Sequence, residues 1–287
     1  MKKPDWLKVS YNQEAVDEVA HLMQDMELNT VCKEANCPNL GECYSSKTAT
    51  FMIMGSQCTR NCRFCNVTTG RPTELDATEP QHLAEAVKQL DLEHVVITQV
   101  TRDDLADGGS AHMAETVLAV KELNPDVTVE VLISDLKGDK EALGTVLASG
   151  PDVLNHNVEM VPRLYQDIRP QAIYERSLKV LSDSKALAPD VLTKTGFMIG
   201  LGETDEEILE LMRDIRATGC DLLTISQYLA PTKEHWTMDR YVSPQQFDDL
   251  RDAGLDMGFQ FVASSPLVRS SYRAHEALNA AKKRIIL

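Results

Sequence analysis

The chain has 287 residues, of which 43% are hydrophobic and 25% are charged, and this composition is typical of a protein with a sizeable packed core. Its formal net charge of −15 argues against a nucleic-acid partner, because nucleic-acid phosphates favour a basic surface. No apolar run approaches the roughly 18 residues of a membrane helix, and Met1–Ser10 has neither a signal core nor an Arg-rich transit pattern, so we expect a cytoplasmic protein without a membrane partner.

The predicted elements alternate between helices and strands. A helix at about Asn12–Glu27 precedes a cysteine-rich segment, and short β-rich runs then alternate with helical periodicity. Predicted strands are Thr50–Gly55, His94–Val100, Val127–Ser134, Asp152–Asn155, Leu192–Gly200, Asp221–Tyr228 and Phe259–Ala263. Predicted helices are Pro80–Leu90, Ala111–Leu123, Lys140–Ala148, Ile173–Ser184, Glu206–Thr218 and Pro244–Met257. This alternation predicts an α/β fold, a partial (βα)6 TIM-like barrel over residues 49–263, with an N-terminal extension, 1–48, and a C-terminal segment, 264–287.

Six of the seven cysteines lie between Cys32 and Cys65, and such crowding in a chain without a signal peptide indicates metal binding rather than disulfides. Cys58, Cys62 and Cys65 follow a predicted strand, with three and then two residues between them. Three thiolates on one loop can hold three irons of a 4Fe–4S cluster and leave the fourth iron open for S-adenosylmethionine. A structural zinc site normally needs four ligands and fits this triplet poorly. With Phe64 before the last cysteine, the run resembles the radical S-adenosylmethionine superfamily motif.

A second triplet, Cys32, Cys37 and Cys43, has four and then five intervening residues. Its spacing alone is compatible with a structural cluster, a zinc site or a cluster with a second role. Pro38, Asn39 and Gly41 suit a tight loop around an inorganic cofactor.

The order and spacing of the two triplets resemble the lipoyl synthase family. The resemblance extends from Cys32 to Ala274, and departures are the Ser264-Ser-Pro266 run, where a glycine is expected, and Gln57 and Asn61. Further matching runs are Thr48–Gly55, Thr101–Gly109, His156–Glu159, Arg169–Tyr174, Gly200–Thr204 and Pro266–Arg273.

This resemblance implies two 4Fe–4S clusters with different tasks. The cluster on Cys58, Cys62 and Cys65 would generate the radical from S-adenosylmethionine, whereas an auxiliary cluster on Cys32, Cys37 and Cys43 would supply sulfur. The family motif places a serine on the fourth auxiliary iron, which maps to Ser270 or Ser271; Ser271 is the preferred assignment. Judged without the resemblance, these serines would be read as a helix cap.

Cofactor contacts are expected after the strands. The Gly108–Gly109 pair would present backbone groups to the methionine amino group, although a glycine pair alone is also compatible with an ordinary loop. Asn157 and Glu159 would hold the ribose, and Arg176 would pair with the carboxylate unless it is simply a solvated helix residue. Gly200 and Gly202 would admit adenine, and the loop with Tyr228, Pro231, His235 and Trp236 would shape an acyl channel.

The implied activity is the insertion of two sulfur atoms at C6 and C8 of an octanoyl chain on a lysine of a lipoyl carrier domain. Implied partners are the carrier domains of 2-oxo-acid dehydrogenase complexes, the glycine cleavage carrier protein, a reductant such as ferredoxin or flavodoxin, and an iron–sulfur carrier. Two alternatives are a sulfur-inserting enzyme for biotin precursors, which lacks the Cys32–Cys43 triplet, and a non-catalytic iron–sulfur carrier, which needs no barrel.

Overall fold

A computed structural model of the chain describes residues 2–8, 13–35, 37, 39–40 and 50–271. The described residues divide into two compact units. The amino-terminal unit lies within Val9–Asn61 and Asn66–Leu154, and the carboxy-terminal unit within Met1–Lys8, Cys62–Cys65 and Asn155–Leu287. The boundaries expected near residues 48 and 263 remain predictions.

Parallel strands form the centre of the amino-terminal unit. Its strands are β1 (Asn29–Thr30), β2 (Thr50–Ile53), β3 (Gln57–Cys58), β4 (Thr68–Thr69), β5 (His94–Gln99), β6 (Thr128–Leu132) and β7 (Val153–Asn155). The order is β1-β2-β5-β6-β7, in which β1 is antiparallel to β2, whereas the pairs β2–β5 and β5–β6 are parallel. β2 is buried along its whole length, as expected for a parallel strand covered on both faces. Helices are α1 (Gln13–Asp25), α2 (Val31–Glu34), α3 (Glu79–Gln89), α4 (Ser110–Leu123) and α5 (Lys140–Ala148).

The carboxy-terminal unit repeats the pattern. Strands β8 (Leu192–Ile199), β9 (Leu222–Gln227) and β10 (Phe261–Ser265) are parallel, with β9 in the middle. Its helices are α6 (Pro162–Ile168), α7 (Tyr174–Leu187), α8 (Asp205–Ala217) and α9 (Pro244–Asp256). The helices pack apolar side chains such as Leu211, Phe247 and Tyr165 into one core with Phe197 and Ile225 of the strands.

The predicted α/β class is confirmed, since helices alternate with mostly parallel strands; closure into a partial barrel remains a prediction. Several local expectations were inaccurate, and two of them concern the carboxy-terminal unit. Helix α6 was not predicted, because seven residues are too few to show helical periodicity, although Pro162 at its start is a typical first helical residue. Strand β10 begins at Phe261 rather than at Phe259. Phe259 is buried although it precedes the strand, so its apolar side chain extends the β-like sequence pattern. Within the described part of the chain, no helix is long and apolar enough to cross a membrane.

Candidate active site

The loop that carries Cys58, Cys62 and Cys65 begins where β3 ends. Cys58 closes this strand, pairs in register with Thr69 of β4, and accepts a hydrogen bond at its carbonyl oxygen from the Gly70 N–H at 3.0 Å. Further along, the Cys65 N–H donates to the Cys62 carbonyl at 3.0 Å. All three cysteines are half-buried, and none of them forms a disulfide.

The donor set of this loop fits an iron–sulfur cluster by its chemistry. Thiolates are the ligands of such clusters, and three cysteines outside any disulfide lie within eight residues. Across the ranges that the structure describes, no three His, Cys, Asp or Glu side chains are already gathered to hold a single metal ion.

A buried arginine inside the cysteine loop contacts two aspartates. The Arg60 Nε and Nη2 donate to the two Asp103 carboxylate oxygens at 2.7 and 2.9 Å, and Nη2 also donates to Asp135 Oδ1 at 2.6 Å. Burial by itself would lower the pKa of Arg60, but the hydrogen bonds and charges of both aspartates outweigh it and raise the pKa. Arg60 is thus a permanent cation within the loop. Sequence reasoning missed it, because its partners lie far along the chain.

Met54 and Gly55 make the turn that leads into this loop, with φ values of 67° and 90°. The Met54 N–H donates to Glu79 Oε2 at 2.9 Å, and the same oxygen lies 2.7 Å from His112 Nε2. On the other side, Arg102 Nη1 donates to the Met54 carbonyl at 3.5 Å. Because Glu79, His112 and Arg102 are all buried, they hold the strained turn in a water-poor environment. These contacts join residues 25 to 48 positions apart, so local sequence patterns do not predict them.

Gly108 and Gly109, expected to contact the methionine amino group, use their amides within the protein. The Gly108 N–H donates to the Leu105 carbonyl at 3.3 Å, and the Gly109 N–H to Asp107 Oδ1 at 3.0 Å. Their carbonyl oxygens accept from Gln99 Nε2 at 3.4 Å and from the Met113 N–H at 3.1 Å. A carbonyl oxygen has two lone pairs, so each retains capacity for a ligand N–H. Any contact of this pair with an amino group therefore falls to the carbonyls.

Asn157 and Glu159, which are expected to contact the ribose, come just after the end of β7. Both residues belong to the carboxy-terminal unit. Glu159 has a left-handed backbone, φ 76°, and its N–H donates to the Gly196 carbonyl at 2.9 Å. Burial raises the pKa of Glu159, although Arg169 and Asn157 oppose the shift. Arg176, on α7, is half-buried and donates to the Gln171 carbonyl at 3.0 Å.

The structure also brings Ser270 to Asn157. Asn157 Nδ2 donates to the Ser270 hydroxyl at 2.8 Å, over Gly196, where any side chain would crowd both groups. Ser271, the preferred cluster ligand, is half-buried beside it. The sequence did not predict this contact, because the two residues are 113 positions apart.

The two expected adenine glycines differ in their surroundings. A Cβ on Gly200 would lie 2.3 Å from Gln227 Nε2 and 2.6 Å from the Arg240 carbonyl oxygen, so protein atoms already occupy that space. A Cβ on Gly202 would meet nothing within 4 Å. Of the pair, only Gly202 has open space beside its Cα.

Residues of the segment after β9 contact the second half of the cysteine loop. Phe64 packs against the core of the carboxy-terminal unit, and His235 Nε2 lies 3.1 Å from the Cys65 carbonyl oxygen. The backbone N–H of Trp236 donates to the Arg63 carbonyl at 2.8 Å. The Tyr228 hydroxyl donates to the Trp236 carbonyl at 2.7 Å. The loop after β9, expected to shape an acyl channel, thus supports the cysteine backbone.

The first cysteine triplet is described in part, because Cys43 lies outside the described residues. Cys32 is buried on α2, and its carbonyl oxygen accepts from the Cys37 N–H at 3.0 Å. Burial, with a smaller contribution from Cys37, raises the pKa of Cys32 to about 11. The Cys32 thiol is therefore protonated at neutral pH, and iron binding here would release a proton. Cys220, to which no chemistry was assigned, is fully buried.

Comparisons with known proteins agree with the cysteine motifs. The chain matches the model of the Radical SAM superfamily over residues 52–215. It is 53% identical to the lipoyl synthase of Caldanaerobacter subterraneus subsp. tengcongensis, over 98% of this chain and 99% of that protein. It is 52% identical to the lipoyl synthases of Alkaliphilus metalliredigens, over 96% of both chains, and of Staphylococcus aureus strain JH9, over 99% of this chain and 93% of the relative.

Solved structures share the fold. A crystal structure of methylornithine synthase has a TM-score of 0.56 at 13% identity, covering 97% of this chain and 90% of its own. A crystal structure of HydG, a maturase of the FeFe-hydrogenase, has a TM-score of 0.61 at 12% identity, covering 96% of this chain and 61% of its own. From the extent and identity of the sequence matches, the chain belongs to the lipoyl synthase family of the radical SAM superfamily.

Proposed function

We propose that this chain converts a protein-bound octanoyl-lysine to lipoyl-lysine by inserting sulfur at C6 and C8. The observation that carries the proposal is identity of 52–53% to lipoyl synthases over nearly the whole chain. Both cysteine triplets fall inside this matched length. The C6 and C8 hydrogens of an octanoyl chain are unactivated, so acid–base side chains are not sufficient to remove them and a radical is required.

The two triplets have separate tasks in this proposal. When bound, the cluster on Cys58, Cys62 and Cys65 supplies the electron for reductive cleavage of S-adenosylmethionine. The auxiliary cluster, held by Cys32, Cys37, Cys43 and Ser271, is a substrate that delivers sulfur. A serine oxygen is a harder ligand than thiolate and binds iron less firmly, which suits a cluster that must be dismantled.

The protein side chains orient the reactants. The Gly108 and Gly109 carbonyls accept from the methionine amino group, Arg176 pairs with the methionine carboxylate, and Asn157 and Glu159 bind the ribose hydroxyls. Burial raises the pKa of Glu159, and Arg169 with Asn157 opposes that shift without cancelling it. These contacts position a target carbon for hydrogen abstraction.

The proposed partners follow from this chemistry. The acyl substrate is presented by lipoyl carrier domains of 2-oxo-acid dehydrogenase complexes or by the glycine cleavage carrier protein. A small reductant such as ferredoxin or flavodoxin supplies electrons, and an iron–sulfur carrier rebuilds the auxiliary cluster. We place these reactions in the cytoplasm.

Anaerobic turnover with mass spectrometry tests the proposal. Reconstituted protein is incubated with dithionite, S-adenosylmethionine and an octanoyl-lysine peptide, and the peptide mass and 5′-deoxyadenosine are followed. The proposal predicts a peptide with two added sulfur atoms and two molecules of 5′-deoxyadenosine per product. An iron–sulfur carrier would give neither product, and an enzyme for biotin precursors would give 5′-deoxyadenosine with dethiobiotin but leave the octanoyl peptide unchanged.

A further inference from the structure

Arg60 stands between Cys58 and Cys62, yet its side chain is only 4% exposed. It forms a bidentate ion pair with Asp103 and a third hydrogen bond to Asp135, whose side chain is fully buried. These aspartates follow β5 and β6, respectively. A buried cation held by three hydrogen bonds to two carboxylates restricts the loop backbone that carries it, because bidentate guanidinium–carboxylate pairs are directional.

The backbone around Arg60 is bonded just as closely. The Thr59 N–H and hydroxyl both donate to the Thr101 carbonyl, at 3.0 and 2.9 Å, and the Asp103 N–H donates to the Thr59 hydroxyl at 3.1 Å. The Arg60 carbonyl accepts from the Thr69 hydroxyl at 3.1 Å. Residues 59–60 are therefore connected to the loop after β5 and to β4 by protein contacts alone.

One contact of Arg60 reaches a cysteine directly. Its N–H points at Cys58 Sγ, at 3.4 Å, which is a hydrogen bond to sulfur. Hydrogen bonds to cysteine sulfur are among the factors that set the potential of an iron–sulfur cluster, because they stabilise its more negative state. The direction of this N–H depends on the peptide plane that the Arg60 side chain and the Thr59 contacts hold.

We propose that Arg60, bound by Asp103 and Asp135, is a positioning residue that preforms the Cys58 side of the cluster loop and directs the Arg60 N–H to the Cys58 sulfur. The proposal rests on the proposed function only in that Cys58, Cys62 and Cys65 bind a cluster. A preformed loop lowers the ordering cost of cluster binding, and the fixed N–H stabilises the reduced cluster.

Arg60→Gln tests the proposal, and Arg63→Gln is its matched control. Both change one charge in the same loop, but the Arg63 side chain is exposed. Because Arg60→Gln leaves the buried Asp135 and the half-buried Asp103 without their cation, Arg60→Gln/Asp135→Asn is included to restore the charge balance. Correct folding is checked first for all three by their melting temperatures.

Two measurements then follow on the full-length chain. Hydrogen exchange at the Thr59 and Arg60 amides before iron is added should be about tenfold faster or more in both Arg60 variants, equivalent to about 1.4 kcal/mol in loop opening. After reconstitution, the midpoint potential of the radical cluster should be lower in both, because the N–H to sulfur bond is lost. Arg63→Gln should match wild type in both measurements.

The outcomes are separable. If the Arg60 variants exchange and titrate like Arg63→Gln, the positioning role is wrong, whatever the enzyme does. If the double variant regains the wild-type exchange rate and potential, Arg60 serves charge balance alone and the proposal is overturned. If the wild-type protein binds no cluster at Cys58, Cys62 and Cys65, the proposed function itself fails.

Discussion

Met54 has a left-handed backbone conformation that costs a non-glycine residue roughly 1–2 kcal/mol. Its side chain lies where a side chain on Gly109 would be, because a Cβ there would be 2.3 Å from Met54 Sδ. Gly109 itself has a positive φ, 85°, at the start of α4. The turn before the cysteine loop and the glycine pair expected at S-adenosylmethionine are therefore packed against each other, within the amino-terminal unit.

Gly109→Ala should disturb that contact, and Gly150→Ala is the control. Gly150 also has a positive φ, 75°, but a Cβ there would meet nothing within 4 Å. Both variants incur the backbone strain, and only Gly109→Ala also displaces the flexible end of the buried Met54 side chain, which should add about 1 kcal/mol of destabilisation. Urea unfolding measures the difference, and S-adenosylmethionine binding should weaken in Gly109→Ala alone. Equal losses of stability in both variants would show that the Met54 contact has no energetic role.

At the residue scale, the sequence was informative where chemistry is encoded by local spacing. The triplets Cys32–Cys43 and Cys58–Cys65 could be recognised because the members of each triplet lie close together in the sequence. The partners of Arg60 and Met54 could not, because Asp135 and Glu79 reach them only through the folded sheet, across 75 and 25 positions. Spacing carries no signal for such contacts without an alignment.

At the scale of elements, Asp107 connects the glycine pair to helix α4. Its carboxylate accepts from the Gly109 N–H at 3.0 Å, the Ala111 N–H at 2.9 Å and the Ser110 hydroxyl at 3.2 Å. Partial burial would raise the pKa of Asp107, but these hydrogen bonds together lower it below its ordinary value. The charged form therefore stabilises the first turn of α4, where backbone N–H groups lack helical partners.

Asp107→Asn should remove this charge. The stability that the variant loses relative to wild type should then depend on pH. The folded-state pKa is lowered, so the stabilisation is present above the unfolded value of about 4 and is lost as the pH falls through the folded-state pKa. The unfolding free energy of wild type minus that of Asp107→Asn should be constant from pH 7 to about 5 and shrink below about pH 4. Asp126→Asn, at an exposed aspartate beyond the other end of α4, is the control. A difference that grows on acidification would contradict the assigned sign.

Elements were predictable where apolar runs or periodicity extended over several residues. Predicted strand His94–Val100 and helix Ala111–Leu123 agree with β5 and α4 to within one residue at each end. The two-residue strands β3 and β4 were missed, because pairs such as Gln57–Cys58 and Thr68–Thr69 are too short to show alternation. Yet β3 is the strand that delivers Cys58 to its loop.

At the scale of the whole molecule, the proposed function requires two clusters in one chain. Fully reconstituted protein should bind about eight irons, since each 4Fe–4S cluster contains four. Iron and sulfide analysis with Mössbauer spectroscopy measures the number and type of clusters. One cubane together with zinc at Cys32, Cys37 and Cys43 would disprove the two-cluster account. Cys220→Ser, at a buried thiol outside both triplets, should leave the iron content unchanged.

At the scale of the whole molecule, the family was predictable mainly because the cysteine motifs resemble those of the family in their order along the chain. Composition and periodicity predicted an α/β fold, but they say nothing of which reaction the fold supports. The order and spacing of the two triplets indicated the family. Identity of 53% over 98% of the chain shows it. The partition into two compact units was not predicted, because residues 62–65 belong with a unit that begins again at Asn155, and such exchange leaves no mark in local sequence.

The most direct test of the central claim compares Cys62→Ala with Cys37→Ala in one anaerobic assay. Each variant is incubated with dithionite, S-adenosylmethionine and an octanoyl-lysine peptide, and 5′-deoxyadenosine and thiolated peptide are quantified by mass spectrometry. Cys62→Ala should form neither, because the electron-delivering cluster is lost. Cys37→Ala should still form 5′-deoxyadenosine and yield no thiolated peptide, because only the sulfur supply is removed. Lipoyl peptide at wild-type yield from Cys37→Ala, or near-normal 5′-deoxyadenosine from Cys62→Ala, would contradict this division of tasks.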